Sequence, residues 1–382
     1  MHITTVPQTF GFFQGQIGYM KARGVEVHAV SSPGRPLEEV AARENIPVHA
    51  VEMPRRITLL TDLVAIFKLC SIFRKLRPTI VHAHTPKGGL LGMVAARLVR
   101  TPVAIYTMHG LPFITARGLK RRLLRGTETI SCRLADRVFA VSQANRQRAL
   151  AEGFSREEKI KVLGAGSCNG VDAAGRFNPQ KLAADEKEKV RRFYRIPPDY
   201  LVLAYVGRIV RDKGIVELNE AWQSLRQQFP RLSLLLIGHE EPQDQIPREV
   251  SAQLKADPRV IFTGWLDDPM PLYAIMDIMV LPTYREGFPI SPLEAAAMQV
   301  PVVATTADGC VEAVADGVTG FLVPPGDYCS LAERIEQLLL NPELRERMGK
   351  AGRLRVLSEF QPERLWELLY DEYLNLMKSK LG

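Results

Sequence analysis

Thr283-Tyr-Arg-Glu-Gly-Phe-Pro-Ile-Ser-Pro-Leu-Glu-Ala-Ala-Ala-Met298 follows an apolar strand pattern at 278–282 and runs into a helical one. Ser291 suits the N-cap, Pro292 the first helical position, and Glu294 stands three residues after the cap, as in a capping box. The amides of Gly287, Phe288 and Ile290 can then face a phosphate at the positive end of the helix dipole. Two carboxylates, Glu286 and Glu294, bracket the loop. That suits an anion site only if they bind hydroxyl groups on either side of the phosphate, which is the layout of a sugar nucleotide. Glu294 also has a purely structural reading as the capping-box residue, and the two roles are compatible.

The same strand-loop-helix rhythm extends in both directions and predicts an α/β chain with parallel sheets. Toward the N-terminus of the second half, a strand at 201–206 delivers Gly207-Arg-Ile-Val-Arg-Asp-Lys-Gly214 to the mouth of a helix at 216–227. Arg208 offers a planar fork and Lys213 a mobile point charge, a pairing suited to phosphate, although basic residues on an exposed turn are the plain alternative. Further strands are predicted at 232–237, 260–263, 300–305 and 320–323, with helices at 330–340 and 362–380. The first half reads as strands at 2–6, 25–30, 80–84, 103–108 and 137–141 alternating with helices. Its loops at 5–16, 84–89 and 109–112 share one edge, because functional loops in such sheets follow the carboxyl ends of strands. His109 lies on that edge, with a satisfied core histidine as the alternative. Gly164-Ala-Gly-Ser-Cys-Asn-Gly170 fails as a dinucleotide fingerprint, since Asn169 occupies the position of the last glycine. A charged helix at 185–194 and Pro197-Pro198 place the domain boundary between 173 and 199.

With 382 residues and 46% hydrophobic composition, the chain can bury two cores. Five cysteines without a CxxC pair argue for a reducing compartment and against a zinc site or a disulfide framework. The longest apolar run, 59–76, contains Asp62 and Lys68 and reads as an amphipathic helix, so the expected location is cytoplasmic. Net charge is +8, but residues 1–172 hold 25 Lys+Arg against 12 Asp+Glu. Within them, residues 50–126 carry 14 basic and 2 acidic side chains interleaved with Leu, Ile and Phe. A solvated basic surface is one reading; attraction to an anionic bilayer explains the clustering better, at about 1 kcal/mol per basic residue. No nucleic-acid motif accompanies the charge, and nucleic acid is not an expected partner.

Gly207 to Gly214 together with the Glu286 and Glu294 pair resembles the donor site of glycosyltransferase family 4, retaining enzymes of the GT-B fold. His82-Ala-His-Thr-Pro-Lys-Gly-Gly89, Thr107-Met-His-Gly110 and Asn169-Gly-Val-Asp172 resemble the same family. Val27-His-Ala-Val-Ser-Ser-Pro-Gly34 is similar to transferases that build capsule, exopolysaccharide or O-antigen units. The resemblance implies two Rossmann-like domains facing a cleft, here residues 1–180 and 199–361, with a C-terminal helix at 362–382 returning to the first. It implies that Arg208 and Lys213 neutralise the donor diphosphate, Glu294 holds the ribose and Glu286 faces the sugar. Gly287, Phe288, Pro289 and Ile290 would contact sugar or phosphate, His109 would lie near the sugar, and Gly15 would belong to a loop approaching the donor. The chain departs from the family in having one glycine in Phe12-Phe-Gln-Gly-Gln16 and in Gly238-His-Glu-Glu241, where a glycine-rich turn is usual. The implied reaction is metal-independent and cofactor-free. It moves a sugar from a nucleotide-sugar, expected to be UDP-linked, to a polyprenyl-diphosphate-linked saccharide at the inner membrane face. A soluble transferase with a small acceptor, a sugar-nucleotide epimerase and a noncatalytic sugar-nucleotide-binding protein are the alternatives.

Overall fold

The computed structural model describes residues 1–54, 56, 58–241 and 244–381. Arg55, one of the basic residues counted in 50–126, and the terminal residue 382 of the expected C-terminal segment lie outside the described residues. The chain forms two compact units, residues 1–169 with 362–382, and residues 170–361.

The first unit holds seven parallel strands, β1 (His2–Ile3), β2 (Ala29–Ser31), β3 (Val48–Ala50), β4 (Ile80–His84), β5 (Val103–Met108), β6 (Arg137–Ala140) and β7 (Ile160–Lys161), in the order β3-β2-β1-β4-β5-β6-β7. Side chains on successive strand residues point to opposite faces, so each strand feeds two cores. Ala104, Tyr106 and Met108 join Leu69, Phe73, Leu91 and Ala95 on one face. Val103, Ile105 and Phe139 meet Ile17, Met20, Leu369, Tyr373 and Leu376 on the other. The helix Pro362–Leu381 therefore belongs to this unit, and polar contacts fix its register. Tyr373 Oη meets His82 Nδ1 at 2.6 Å, Trp366 Nε1 donates to Asn169 Oδ1 at 2.6 Å, and Glu372 bridges Lys161 and Arg137. On the Leu69 face, the helices Leu59–Leu76 and Gly118–Leu134 both pack against Pro86–Leu98.

The second unit holds β8 (Leu201–Val206), β9 (Leu232–Ile237), β10 (Val260–Gly264), β11 (Ile278–Leu281), β12 (Val302–Thr305) and β13 (Gly320–Val323), ordered β10-β9-β8-β11-β12-β13. The strand order reverses between β8 and β11, the position at which open parallel sheets bind ligands.

Three expectations change. The second unit begins at residue 170, upstream of the expected 173–199, because residues 171–178 are tied into it. Val171 N donates to Phe360 O at 2.8 Å, and the buried Arg353 guanidinium donates to Phe177 O, Ala297 O and Asn178 Oδ1. The first strand ends at Ile3 instead of residue 6, with a 3-10 helix Pro7–Phe13 following. The helix Pro342–Glu359 and the strand β3 were not anticipated. No helix among the described residues is long and apolar enough to cross a membrane.

Candidate active site

The loops that follow β8 and β11 are laced together by their backbones. A Cβ on Gly214 would lie 1.9 Å from Pro282 O, and the residue has φ +72°, so only glycine lets the first loop press onto the end of β11. Tyr284 N and Thr283 Oγ1 both donate to Asp212 O, at 3.0 and 3.2 Å, and the Arg285 guanidinium pairs with the Asp212 carboxylate. This brings Lys213 Nζ onto Glu286 Oε1, with the two side chains 14% and 16% exposed. Glu286 is thus held by a cation from the other loop, a partnership its sequence neighbourhood did not show.

Arg208 is aligned at both ends. Its carbonyl accepts from Tyr205 Oη at 2.7 Å, and its Nη1 donates to Glu241 Oε2 at 2.8 Å. A Cβ on Gly238 would sit 1.9 Å from Gly207 O. The unusual Gly238-His-Glu-Glu241 turn keeps the one glycine that this approach requires, and its last residue supplies the carboxylate for Arg208.

Glu294 corrects the capping reading. The helix Ser291–Ala297 starts with Ile290 at the cap position in helical dihedrals and without a side-chain cap bond. Ser291 Oγ instead donates to Val206 O at 3.3 Å, so the hydroxyl ties the helix to the end of β8 and no capping box forms. Glu294 Oε2 accepts from Tyr273 Oη at 2.6 Å. Burial raises the Glu294 pKa, and the tyrosine hydroxyl opposes that shift by stabilising the carboxylate. The capping-box explanation for Glu294 therefore falls away. Gly309, unnoticed in the sequence, has φ +79°, and a Cβ there would lie 2.2 Å from Gly287 O. Asp308-Gly309 ahead of a short helix was the available signal. The side chains of Phe288 and Pro289 are buried, Phe288 against Phe360, which leaves their backbone as the part able to meet a ligand. Arg208, Lys213, Glu286, Gly287 and Glu294 are thus gathered by one unit at one sheet edge.

Gly15 and His109 belong to the first unit. Gly15 has φ +83°, and a Cβ would meet Trp366 Cη2 at 2.4 Å, so its glycine has a packing reason. His109 Nε2 lies 3.1 Å from His84 Nδ1, and burial lowers its pKa to about 4. The ring is neutral at pH 7. Sequence reasoning put the loops that begin at His84 and His109 on one edge but did not foresee that their rings pair, or that His2 joins them. Ring nitrogens of His2, His82 and His84 lie within 4.8 Å of one another, but His82 commits both of its own to Thr107 Oγ1 and Tyr373 Oη, at 2.6 Å each.

A family model for glycosyl transferases group 1 matches residues 186–355, and one for a glycosyl transferase 4-like domain matches residues 12–166. A capsular polysaccharide biosynthesis glycosyltransferase of Staphylococcus aureus is 35% identical over 381 residues, spanning 100% of this chain and 98% of its own. The chain is a group 1 glycosyltransferase. This glycosyltransferase is also 25% identical over 329 residues, 85% of its length, to 83% of the UDP-Gal:alpha-D-GlcNAc-diphosphoundecaprenol alpha-1,3-galactosyltransferase of Escherichia coli. Its fold matches that of Anabaena HepE, solved with UDP-glucose, at a TM-score of 0.81 and 22% identity, over 98% of both chains. The two Rossmann-like parallel sheets are those of a GT-B glycosyltransferase, and the relatives include capsule and lipid-linked saccharide transferases.

Proposed function

We propose that this glycosyltransferase moves a sugar, with retention, from a UDP-sugar to a polyprenyl-diphosphate-linked saccharide in the assembly of a bacterial surface polysaccharide. The observation that carries the reading is the convergence of Arg208, Lys213, Glu286 and Glu294 where β8 and β11 diverge. As the nucleoside diphosphate leaves the anomeric carbon, negative charge grows on its phosphate oxygens. Lys213, Arg208 and the loop amides at 287 and 288 answer that charge, and one such preorganised donor is worth ~100- to 1,000-fold in rate. They take the place of a divalent cation, so the reaction is metal-independent. Glu294, with Oε2 held by Tyr273, offers Oε1 to a ribose hydroxyl, while Glu286 serves the sugar. The acceptor hydroxyl attacks from the face that the diphosphate leaves, and the departing phosphate takes its proton. His109 keeps the sugar-side role implied by the family resemblance.

The acceptor's lipid suits the surface of the first unit. The helix Leu59–Leu76 buries Ala65, Leu69, Cys70 and Phe73 and turns Leu59, Leu60, Leu63, Val64 and Phe67 outward beside Lys68, Arg74 and Lys75. The helix Gly118–Leu134 exposes Leu119 and Leu123 among Lys120, Arg121, Arg122 and Arg125. Apolar side chains among cations fit an anionic lipid surface, in which both are satisfied. The test is transfer from a panel of UDP-, GDP- and dTDP-hexoses, with and without lipid-linked acceptor and with EDTA. The reading requires a UDP-sugar, dependence on acceptor and insensitivity to EDTA. Conversion of donor alone to an epimer, or inhibition by EDTA relieved by magnesium, counts against it.

A further inference from the structure

The register of β1 against β4 sets His2 beside His82, and β4 ends at His84, next to the end of β5 and the His109 that follows it. Three imidazoles then form a hydrogen-bonded row. His2 Nδ1 lies 3.0 Å from His84 Nε2, and His84 Nδ1 lies 3.1 Å from His109 Nε2. Phe13 packs on His84 with ring centroids 4.4 Å apart, which restricts the middle ring. Burial is the first cause of a lowered pKa at each member, to about 3 for His2, to about 4 for His109 and well below the usual value for His84. All three are therefore neutral at pH 7, and each carries a single ring proton.

That single proton has a consequence. Each nitrogen-to-nitrogen bond needs one donor and one acceptor, so the tautomers cannot be chosen independently. If His2 donates from Nδ1, His84 accepts at Nε2, donates from Nδ1 to His109 Nε2, and leaves His109 with its proton on Nδ1. If His84 donates from Nε2 to His2, it accepts at Nδ1 from His109 Nε2, and His109 Nδ1 is a bare acceptor. Nothing among the described residues engages His109 Nδ1. It is the atom through which the row can speak to a ligand.

We propose that His84, backed by His2, is a positioning residue for His109, fixing through the two inter-ring hydrogen bonds whether His109 Nδ1 meets the donor sugar as hydrogen-bond donor or acceptor. The proposal rests on the reading that His109 meets the donor sugar. A neutral histidine has one donor and one acceptor nitrogen, so a row of three in matched order sets the polarity of its last atom.

The test is histidine ¹⁵N spectroscopy of the full chain at pH 7, combined with steady-state kinetics. In the wild type the expected result is one neutral tautomer at each of the three rings, all in the same sense, with ¹⁵N–¹⁵N coupling across both inter-ring bonds. His84→Asn places an amide near the former Nδ1 and keeps the bond to His109; His84→Gln places it near the former Nε2 and loses that bond. The Asn variant is expected to keep a single His109 tautomer and most of kcat. The Gln variant is expected to show a mixture and a loss of kcat of about 10-fold, the scale of one hydrogen bond, with KM for the donor little changed. Mixed His109 tautomers or absent coupling in the wild type overturns the proposal, and this arm needs no variant to fold. An unchanged His109 spectrum in His84→Gln, or equal losses in the Asn and Gln variants, overturns it as well. Normal turnover of His109→Ala, with both couplings present in the wild type, overturns instead the reading that His109 meets the sugar.

Discussion

Removing Lys213 separates a structural ion pair from a phosphate-binding cation, because the two roles predict different things for its partner. Lys213 and Glu286 are 14% and 16% exposed, so Lys213→Ala leaves a largely buried carboxylate without its cation. Breaking a buried pair costs about 3–5 kcal/mol, and the remaining exposure brings the expected loss here to about 2–4 kcal/mol. A charge-assisted hydrogen bond to phosphate contributes about 1.5–3 kcal/mol, so affinity for UDP should fall about 10- to 150-fold in the same variant. Glu286→Gln should not weaken UDP, since Glu286 is assigned to the sugar and its neutralisation releases Lys213 toward the diphosphate. The double variant Lys213→Ala/Glu286→Ala should recover part of the lost stability and none of the lost UDP affinity. Calorimetric UDP titration and urea unfolding of the four proteins measure both quantities. If Glu286→Gln weakened UDP as much as Lys213→Ala does, the pair would be scaffolding for the loop and the phosphate role would be wrong.

Glu128 is buried, its Oε2 accepts from Tyr106 Oη at 2.8 Å, and burial raises its pKa from 4.5 to about 7. The folded state then holds the proton more tightly than the unfolded one. Stability should fall by up to ~3 kcal/mol as pH rises from about 4.5 to about 7, and Glu128→Gln should flatten that slope in urea unfolding. Gly309→Ala forces a Cβ against Gly287 O at a positive φ, and should cost more than ~1 kcal/mol of stability and weaken UDP in the calorimeter. Leu60 and Phe67 are 81% and 73% exposed, so Leu60→Glu/Phe67→Glu should shift stability by less than ~0.5 kcal/mol per site while abolishing flotation with anionic liposomes. Unchanged flotation would remove the helix Leu59–Leu76 from the membrane account.

Local patterns carried much of this structure. The strand-helix rhythm gave parallel sheets, the amphipathic run at 59–76 matches the helix Leu59–Leu76, and Gly207 to Gly214 fell on the loop after β8 because a Gly-Arg-Lys turn follows an apolar strand. What escaped depends on residues far apart in the chain. Ser291 has the composition of an N-cap, yet a hydrogen bond to Val206 O, supplied by another strand, prevailed over the local preference. The partnerships of Lys213 with Glu286 and of Tyr273 with Glu294 arise where two loops or elements meet, and no spacing rule connects them. The imidazole row needs the register of β1 on β4, strands distant in the chain whose burial on both faces leaves no in-out alternation to set it. The domain boundary was drawn at the charged helix and the paired prolines; Arg353, entering from a distant helix, binds the segment before them into the second unit.

The central claim is transfer with retention at the site between the β8 and β11 loops, and the anomeric configuration of the product tests it most directly. A UDP-hexose of known configuration and a polyprenyl-diphosphate-linked saccharide would be incubated with the enzyme, and the one-bond carbon–hydrogen coupling at the new anomeric centre read by NMR. The account predicts the configuration of the donor, lost together with turnover in Lys213→Ala. An inverted linkage, or a retained one formed at full rate by Lys213→Ala, would contradict it.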